Sequence, residues 1–382
     1  CCKALNLGRF AKLGSSLLAA SFLTSLRFPM IEITPAQEAD ASLWNSYLEQ
    51  AQVNNHAFAW QWRAIISGAF GHQPYYLIAR DMAAGGKIAG VLPIFLVKSF
   101  LFGKAFISVP YLNAGGIIAD SETAFTALRD KVQVLGRELG VDYIELRHRA
   151  AVSWPGHNLQ ERTHKVSMLL SLQNEAENVF SSFPPKLRSQ IRRPTKSGMY
   201  AQTESEGADD SPALHRFYGV FAEHMRDLGT PVYPRTFFSL IKREFGSACR
   251  SFSVLFEGKV AAAGITIGFA KHTEMLCASA LRKFNKHSPN MLLYWQAMKT
   301  ACADGYQVFD FGRSSYDSTT YRFKAQWGAS PLPLYWYYDV INGEIPDINP
   351  KSSKFSTLVE CWKHMPLAAA NLVGPWLTRS LP

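Results

Sequence analysis

Residues Gly305–Gly328 read Gly-Tyr-Gln-Val-Phe-Asp-Phe-Gly-Arg-Ser-Ser-Tyr-Asp-Ser-Thr-Thr-Tyr-Arg-Phe-Lys-Ala-Gln-Trp-Gly. Val308, Phe309 and Phe311 predict a short apolar strand that starts after a helix-ending Gly305 and stops at Gly312. Arg313, Ser314, Ser315 and Tyr316 continue as a polar loop. Asp317, Ser318 and Thr319 extend it and are placed to cap a short helix carrying Tyr321, Arg322 and Lys324. Polar groups just beyond the carboxyl end of a strand are where open α/β sheets bind ligands. The competing reading is a tight turn with a solvated Arg and Lys.

Outward from this stretch, the chain repeats itself. A helix ending at Phe70–Gly71 has a counterpart ending at Phe245–Gly246. The strand beginning Gly86-Lys87-Ile88-Ala89-Gly90 has one beginning Gly258-Lys259-Val260-Ala261-Ala262. Gly140, closing a helix over Glu122–Leu139 and preceding a strand over Val141–Arg147, matches Gly305 before the Asp310 strand. Three anchors in one order at nearly constant spacing predict a duplicated α/β unit. In the first copy, Glu38–Gln52 is expected to be a helix with Leu43, Tyr47 and Leu48 on one side. Tyr75–Arg80 and Lys87–Val97 are expected to be two strands joined at Ala84-Gly85-Gly86.

Two further runs carry chemistry. Pro184–Pro185 starts a helix over Lys186–Arg193 in which Leu187 and Ile191 form the buried face. Arg188 and Arg192 stack four apart on another face, with Lys186, Arg193 and Lys196 nearby; such guanidinium forks suit phosphate oxygens, and a solvated basic helix is the alternative. After the helix Ala213–Met225, the run Asp227-Leu228-Gly229-Thr230-Pro231-Val232-Tyr233 reads as a helix stop, with Tyr233, Asp227 and His224 able to face a cleft. Ser315 has no Gly-x-Ser-x-Gly elbow and the chain has no Walker sequence, so hydrolase and P-loop readings are poor.

These runs together carry a resemblance. Asp-Phe-Gly-Arg-Ser from Asp310 and Phe-Lys-Ala-Gln-Trp-Gly-Ala from Phe323 resemble the C-terminal signature of FemAB-like proteins of the GNAT-related acyltransferase superfamily. Lys-Leu-Arg-Ser-Gln-Ile-Arg-Arg-Pro from Lys186, Leu-Gly-Thr-Pro-Val-Tyr from Leu228 and Tyr-Leu-Asn-Ala-Gly-Gly from Tyr111 agree with it. The subgroup they resemble is associated with PEP-CTERM/exosortase systems. The resemblance implies an α/β (α+β) chain of tandem GNAT-like domains, each a mixed twisted sheet flanked by helices, over residues 30–172 and 173–344. It implies an acyl- or aminoacyltransferase acting on an amine or hydroxyl of a cell-envelope or exopolysaccharide precursor. A non-catalytic binding protein of such a system is the alternative.

The implied catalytic residue is Lys324, matching the lysine of the Phe-Lys pair that stabilises the reacting carbonyl or leaving group in Fem-type transferases. Asp310 and Tyr316 stand near it in sequence, and Asp310 suits orienting Arg313 or accepting a proton. Lys186, Arg188, Arg192, Arg193, Arg313, Ser314 and Tyr233 are the expected substrate-binding residues. The expected donor is acyl-CoA or aminoacyl-tRNA, with no metal. The acceptor is a small-molecule, lipid-linked or nucleotide-linked saccharide or amine. The Gln/Arg-x-x-Gly-x-Gly/Ala pyrophosphate loop is missing after both repeated strands, which argues against acetyl-CoA. The coiled-coil insertion of peptidoglycan Fem ligases is missing too, which argues against a tRNA donor.

Composition sets the surroundings. The 382 residues, 47% hydrophobic, suffice for two packed domains. A formal charge of +10 favours an anionic partner, but scattered basic residues without zinc-finger spacing do not favour DNA. Six cysteines without a framework fit reduced thiols and a cytoplasmic setting. Residues 1–29 start at Cys1 and imitate a leader, and Met30 is the expected native start. Residues 345–382, with Trp362, Leu367, Leu372, Val373, Trp376 and Leu377, form an apolar tail. It is expected to dock on the globular body, with contact at the inner membrane face as the second reading.

Overall fold

A computed structural model describes residues 30–100, 102–153, 159–204, 211–345 and 353–381. The expected leader over 1–29 lies outside the described residues. The first half runs β1 (Ile31–Pro35), α1 (Ala41–Gln50), α2 (Trp62–Phe70), β2 (Gln73–Pro74), β3 (Leu77–Asp81) and β4 (Lys87–Leu92). It continues with β5 (Phe95–Ser99), β6 (Gly103–Ile107), β7 (Ile118–Ala119), α3 (Glu122–Leu139), β8 (Tyr143–His148) and β9 (Gln160–Ser171). The second half runs α4 (Ala176–Ser182), α5 (Pro185–Lys196), β10 (Tyr200–Glu204), α6 (Pro212–Leu228), α7 (Arg235–Phe245), β11 (Cys249–Phe256) and β12 (Lys259–Phe269). It ends with β13 (His272–Ala280), α8 (Pro289–Ala303), β14 (Val308–Ser315), α9 (Thr319–Ala325), β15 (Ser330–Val340), α10 (Ser353–Lys363) and α11 (Leu367–Thr378).

The repeated anchors fall on matching elements. Gly71 ends α2 and Gly246 ends α7, both at positive φ; Gly140 follows α3 and Gly305 follows α8, again at positive φ. The strands after these glycines, β8 and β14, take equivalent places in the repeat. Two expectations are corrected. Lys87–Val97 is not one strand: it breaks at Pro93, and its parts enter different sheets, β4 in a four-stranded sheet and β5 in an eleven-stranded one. In α1 the buried positions are Trp44, Tyr47 and Leu48, whereas Leu43 is 55% exposed; Trp44 carries the larger apolar surface and wins the core side.

The sheets are ordered β1-β3-β4-β7 and β10-β11-β12-β13-β14-β9-β15-β8-β6-β5-β2. The halves exchange strands at the centre of the larger sheet. β9, from the first half, pairs antiparallel with β14 of the second; β15 pairs antiparallel with both β9 and β8. A shared apolar core locks the exchange: Trp44, Trp62, Phe70 and Tyr76 pack with Phe217, Phe237, Phe238 and Ile265. A second cluster fixes the signature region, with Leu187 and Ile191 of α5 packed among Leu293, Phe309, Phe311 and Trp327. The buried face expected for α5 is therefore the one observed.

The tail docks on the body. Trp362 and Ala370 are buried, and Thr378 Oγ donates to the Val232 carbonyl. No helix among the described residues is long and apolar enough to cross a membrane.

Candidate active site

The site begins with a parting of strands. β13 and β14 run parallel only over His272–Glu274 against Val308–Asp310, and their pairing ends there. Beyond that point β13 bulges: Ile265 faces Cys277 and Thr266 faces Met275, so Leu276 stands opposite no β12 residue. β14 bulges as well, since Asp310 faces Leu169 and Arg313 faces Ser167. The gap opens into a cavity of about 340 Å³ lined by residues of both halves, among them Asn113, Tyr233, Glu274, Leu276, Arg313 and Lys324.

The Asp-Phe-Gly-Arg run is the chemistry of that second bulge. Gly312 has φ 75°, a conformation that disfavours any side chain, and a Cβ there would meet the Met275 carbonyl at 3.3 Å. The buried Asp310 carboxylate accepts the Gly312 N–H at 2.8 Å and the Ser167 hydroxyl at 2.6 Å, and pairs with Arg149 at 3.1 Å. Burial and the neighbouring Glu274 charge nevertheless push the Asp310 carboxyl up. Asp310 therefore shapes the strand turn from beneath and lines a water-sized cleft with His56, Arg149 and His272, not the large cavity.

Lys324 closes the turn from the other side. Ser318 caps α9 by accepting the Tyr321 N–H, as the sequence predicts, and the helix directs Lys324 back at the strand. Its ammonium donates to the carbonyls of Gly312 at 2.9 Å and Arg313 at 2.8 Å. Two of its three N–H groups are thus used, and one is without a backbone partner. Burial pushes Lys324 down to about 8, against the opposing pull of Asp310 and Glu274.

Arg313 projects into the cavity. Its guanidinium lies 5.2 Å from the Trp336 ring, on which Arg147 also rests at 4.4 Å. Protein surrounds Arg313, yet its side chain keeps accessible surface because it faces the open space. Burial and then Arg147 push it down from its usual value.

Glu274 supplies the floor. His56 Nε2 lies 3.1 Å from one carboxylate oxygen and Asn113 donates to the other at 3.3 Å. Burial alone raises a carboxyl, but the His56 hydrogen bond, with Arg149 and Asn113 behind it, outweighs this and leaves Glu274 below the usual range. The residue is held as an anion. Tyr233 completes one wall; burial and then Cys277 push its hydroxyl up to about 12, so it is a neutral donor.

The structure brings together Lys324, Arg313 and Tyr233 around the cavity, with Asp310 beneath. Tyr316 is 46% exposed, stacked near Tyr321, and does not line the cavity. The Ser314 side chain is buried in β14, and its hydroxyl has no partner among the described residues. Lys186, Arg188, Arg192 and Arg193 lie on α5 outside the cavity. Arg192 covers the Phe180 ring at 4.9 Å, and Arg193 donates to the Lys286 carbonyl before α8. Sequence reasoning missed Glu274, His56, Asn113 and Leu276. Glu274 had a signal, an acid at the head of the apolar run Met275–Ala280 in a strand that pairs with the Asp310 strand. His56 had none.

Comparison with known proteins agrees with this geometry. Residues 182–325 match the family model described as acetyltransferase (GNAT) domain. No curated protein matches the sequence. Among solved structures, FemX is similar at TM-score 0.62 and 12% identity, over 81% of this chain and 98% of that one. A tandem GNAT protein from the clavulanic acid biosynthesis pathway is similar at TM-score 0.53 and 12% identity, over 82% and 99%. L-PGS from Bacillus licheniformis is similar at TM-score 0.53 and 11% identity, over 89% and 98%. At these identities the likeness to the structures is one of fold. The chain carries a GNAT acetyltransferase domain on a tandem GNAT-like architecture, and the domain match supports an acyltransferase.

Proposed function

We propose that the chain transfers an acyl or aminoacyl group to an amine held at Glu274 in the gap between β13 and β14. The observation that carries this is the cavity itself: an anionic carboxylate at the floor, a bulged strand edge at Leu276 and the Lys324 cation on one wall. An amine nitrogen attacks the donor's carbonyl carbon, a C–N bond forms, and negative charge gathers on the carbonyl oxygen. Lys324 and the unpaired strand edge are the donors suited to that oxygen. The amine proton passes to Glu274. Collapse breaks the bond to the thiol or alcohol of the donor, which leaves with a proton.

The resemblance to FemAB-like proteins of PEP-CTERM/exosortase systems extends the reading to an amine of a cell-envelope or exopolysaccharide precursor. Acyl-CoA and aminoacyl-tRNA are the two donor classes to try. The test is mass-spectrometric detection of an acylated amine with wild type and Glu274→Gln, using both donors. Transfer by wild type that falls about 10²-fold or more in the variant supports the reading. Transfer unchanged by Glu274→Gln, or none from either donor to any amine, overturns it.

A further inference from the structure

Two opposite charges face the cavity without meeting. Arg313 has no ion-pair or hydrogen-bond partner for its guanidinium among the described residues. The neighbouring Arg147 is answered: it pairs with Glu145 at 2.6 Å and donates to the Leu112 carbonyl at 2.6 Å. Glu274 is held anionic by His56 and Asn113, and each carboxylate oxygen can accept another donor. A guanidinium surrounded by protein and left unpaired is costly, and so is an anion whose only countercharges lie behind it. Had the two charges been needed for stability alone, direct pairing would have closed the gap.

We propose that the acceptor is a zwitterion, an amino acid or the amino-acid unit of a larger molecule, with its ammonium at Glu274 and its carboxylate at Arg313. The guanidinium fork presents two parallel donors to a carboxylate, and stacking on Trp336 fixes the plane of that fork. Phe221, Phe237, Tyr294 and Phe311 form apolar walls between the charged groups, so an apolar body fits. The two charges select for a molecule that carries both, because either half alone leaves one buried protein charge unanswered. This inference rests on the amine being the acceptor at Glu274, and names what else that acceptor carries.

The experiment compares two triads by calorimetry on the full chain: L-phenylalanine, phenethylamine and 3-phenylpropanoate; 6-aminohexanoate, hexylamine and hexanoate. In each, a zwitterion is set against its two halves, at short and long charge spacing. The expected result is that one zwitterion binds about tenfold or more tighter than both its halves. Arg313→Gln then brings that zwitterion level with its amine half, and Glu274→Gln brings it level with its acid half. Circular dichroism confirms that each variant is folded, and the wild-type comparison stands without them. The inference is overturned if neither zwitterion exceeds its amine half, if Arg313→Gln leaves the preference intact, or if none of the six binds. Acyl transfer separates this from the function proposed above. Selective zwitterion binding without transfer sinks only the transferase reading; transfer to phenethylamine as fast as to L-phenylalanine sinks only the zwitterion.

Discussion

His56 Nε2 and Glu274 Oε2 lie 3.1 Å apart, although 218 residues separate them in the chain. The pair ties the first half of the chain to the floor of a cavity whose chemistry lies mostly in the second. The bond also decides the charge of Glu274, because burial alone would push that carboxyl up. A group depressed in the folded state is fully anionic above its ordinary value and is lost as pH falls through the depressed one. Removing the donor in His56→Ala leaves burial uncompensated, so the acidic limb of kcat/KM should move to higher pH by about one pH unit. His56→Gln, which keeps a donor, should restore most of it. An unmoved limb in the alanine variant would show that the pair is structural only.

Gly312 is the residue on which the second bulge depends. Its φ of 75°, and the Met275 carbonyl that a Cβ would meet at 3.3 Å, leave no comfortable place for a side chain. Gly312→Ala should destabilise the fold by about 1–2 kcal/mol, read from urea unfolding. Arg313 would then lose its aim, so transfer should fall more than stability does. A variant as stable and active as the parent contradicts the bulge's role.

How much of this was legible in the sequence depended on distance along the chain. The run Asp310 to Lys324 is local: the Asp310 to Gly312 bond spans two residues and the Lys324 to Gly312 bond twelve, so the motif and its geometry coincide. The helix stops at Gly71, Gly140, Gly229 and Gly305 were equally readable, because a left-handed residue closes a helix by local bonding. The strand exchange was not. It follows from β15 pairing with β8 across Tyr335–Val340 and His148–Tyr143, and nothing near either strand announces its partner. The Glu274 floor was hidden for the same reason, since its donors His56 and Asn113 come from the other half.

Lys324 gives opposite responses in activity and stability as pH rises. Its folded value is pushed down to about 8 from an ordinary 10.5. Between these values the unfolded chain binds more protons than the folded one, so stability should increase with pH over that window and stay flat below it. If the ammonium stabilises the reacting oxygen, kcat should fall through the same region. Lys324→Met should lose that limb together with about 10²–10³ of turnover. It also leaves the Gly312 and Arg313 carbonyls without their donor, so some loss of stability is expected, unlike for a purely catalytic lysine. Activity that rises through pH 8 would assign the neutral amine as a base instead.

The tail reaches the cavity wall through Tyr111, whose hydroxyl donates to the Thr378 carbonyl at 3.2 Å. Gly374 lets α11 lie against Val232, next to Tyr233; a Cβ there would meet the Val232 nitrogen at 2.9 Å and its side chain at 2.8 Å. Gly374→Val should therefore lift α11 off the body at a cost of about 1–3 kcal/mol. Limited proteolysis within 367–381 should accelerate, and the acceptor KM should rise because Tyr111 and Tyr233 lose their backing. Protection equal to the parent would place the tail's docking elsewhere.

The basic helix makes a prediction that the cavity does not share. Arg188 and Arg192 stand four apart on α5, outside the cavity, and Arg193 ties the helix to the Lys286 carbonyl just before α8. That segment carries Arg282, Lys283 and Lys286, so cations of α5 and of the turn before α8 lie side by side. A phosphate-bearing donor is the partner that such a surface attracts, through forces screened over about 10 Å at 0.1 M salt. Arg188→Gln with Arg192→Gln should weaken donor binding and flatten its dependence on salt. Binding of the acceptor in the cavity should stay as it was, and so should the unfolding midpoint, because the helix buries Leu187, Ile191 and Pro194 on its other side. A double variant with the parent's donor affinity at every salt concentration would return α5 to an ordinary solvated face. Loss of acceptor binding instead would mean that α5 shapes the cavity from behind.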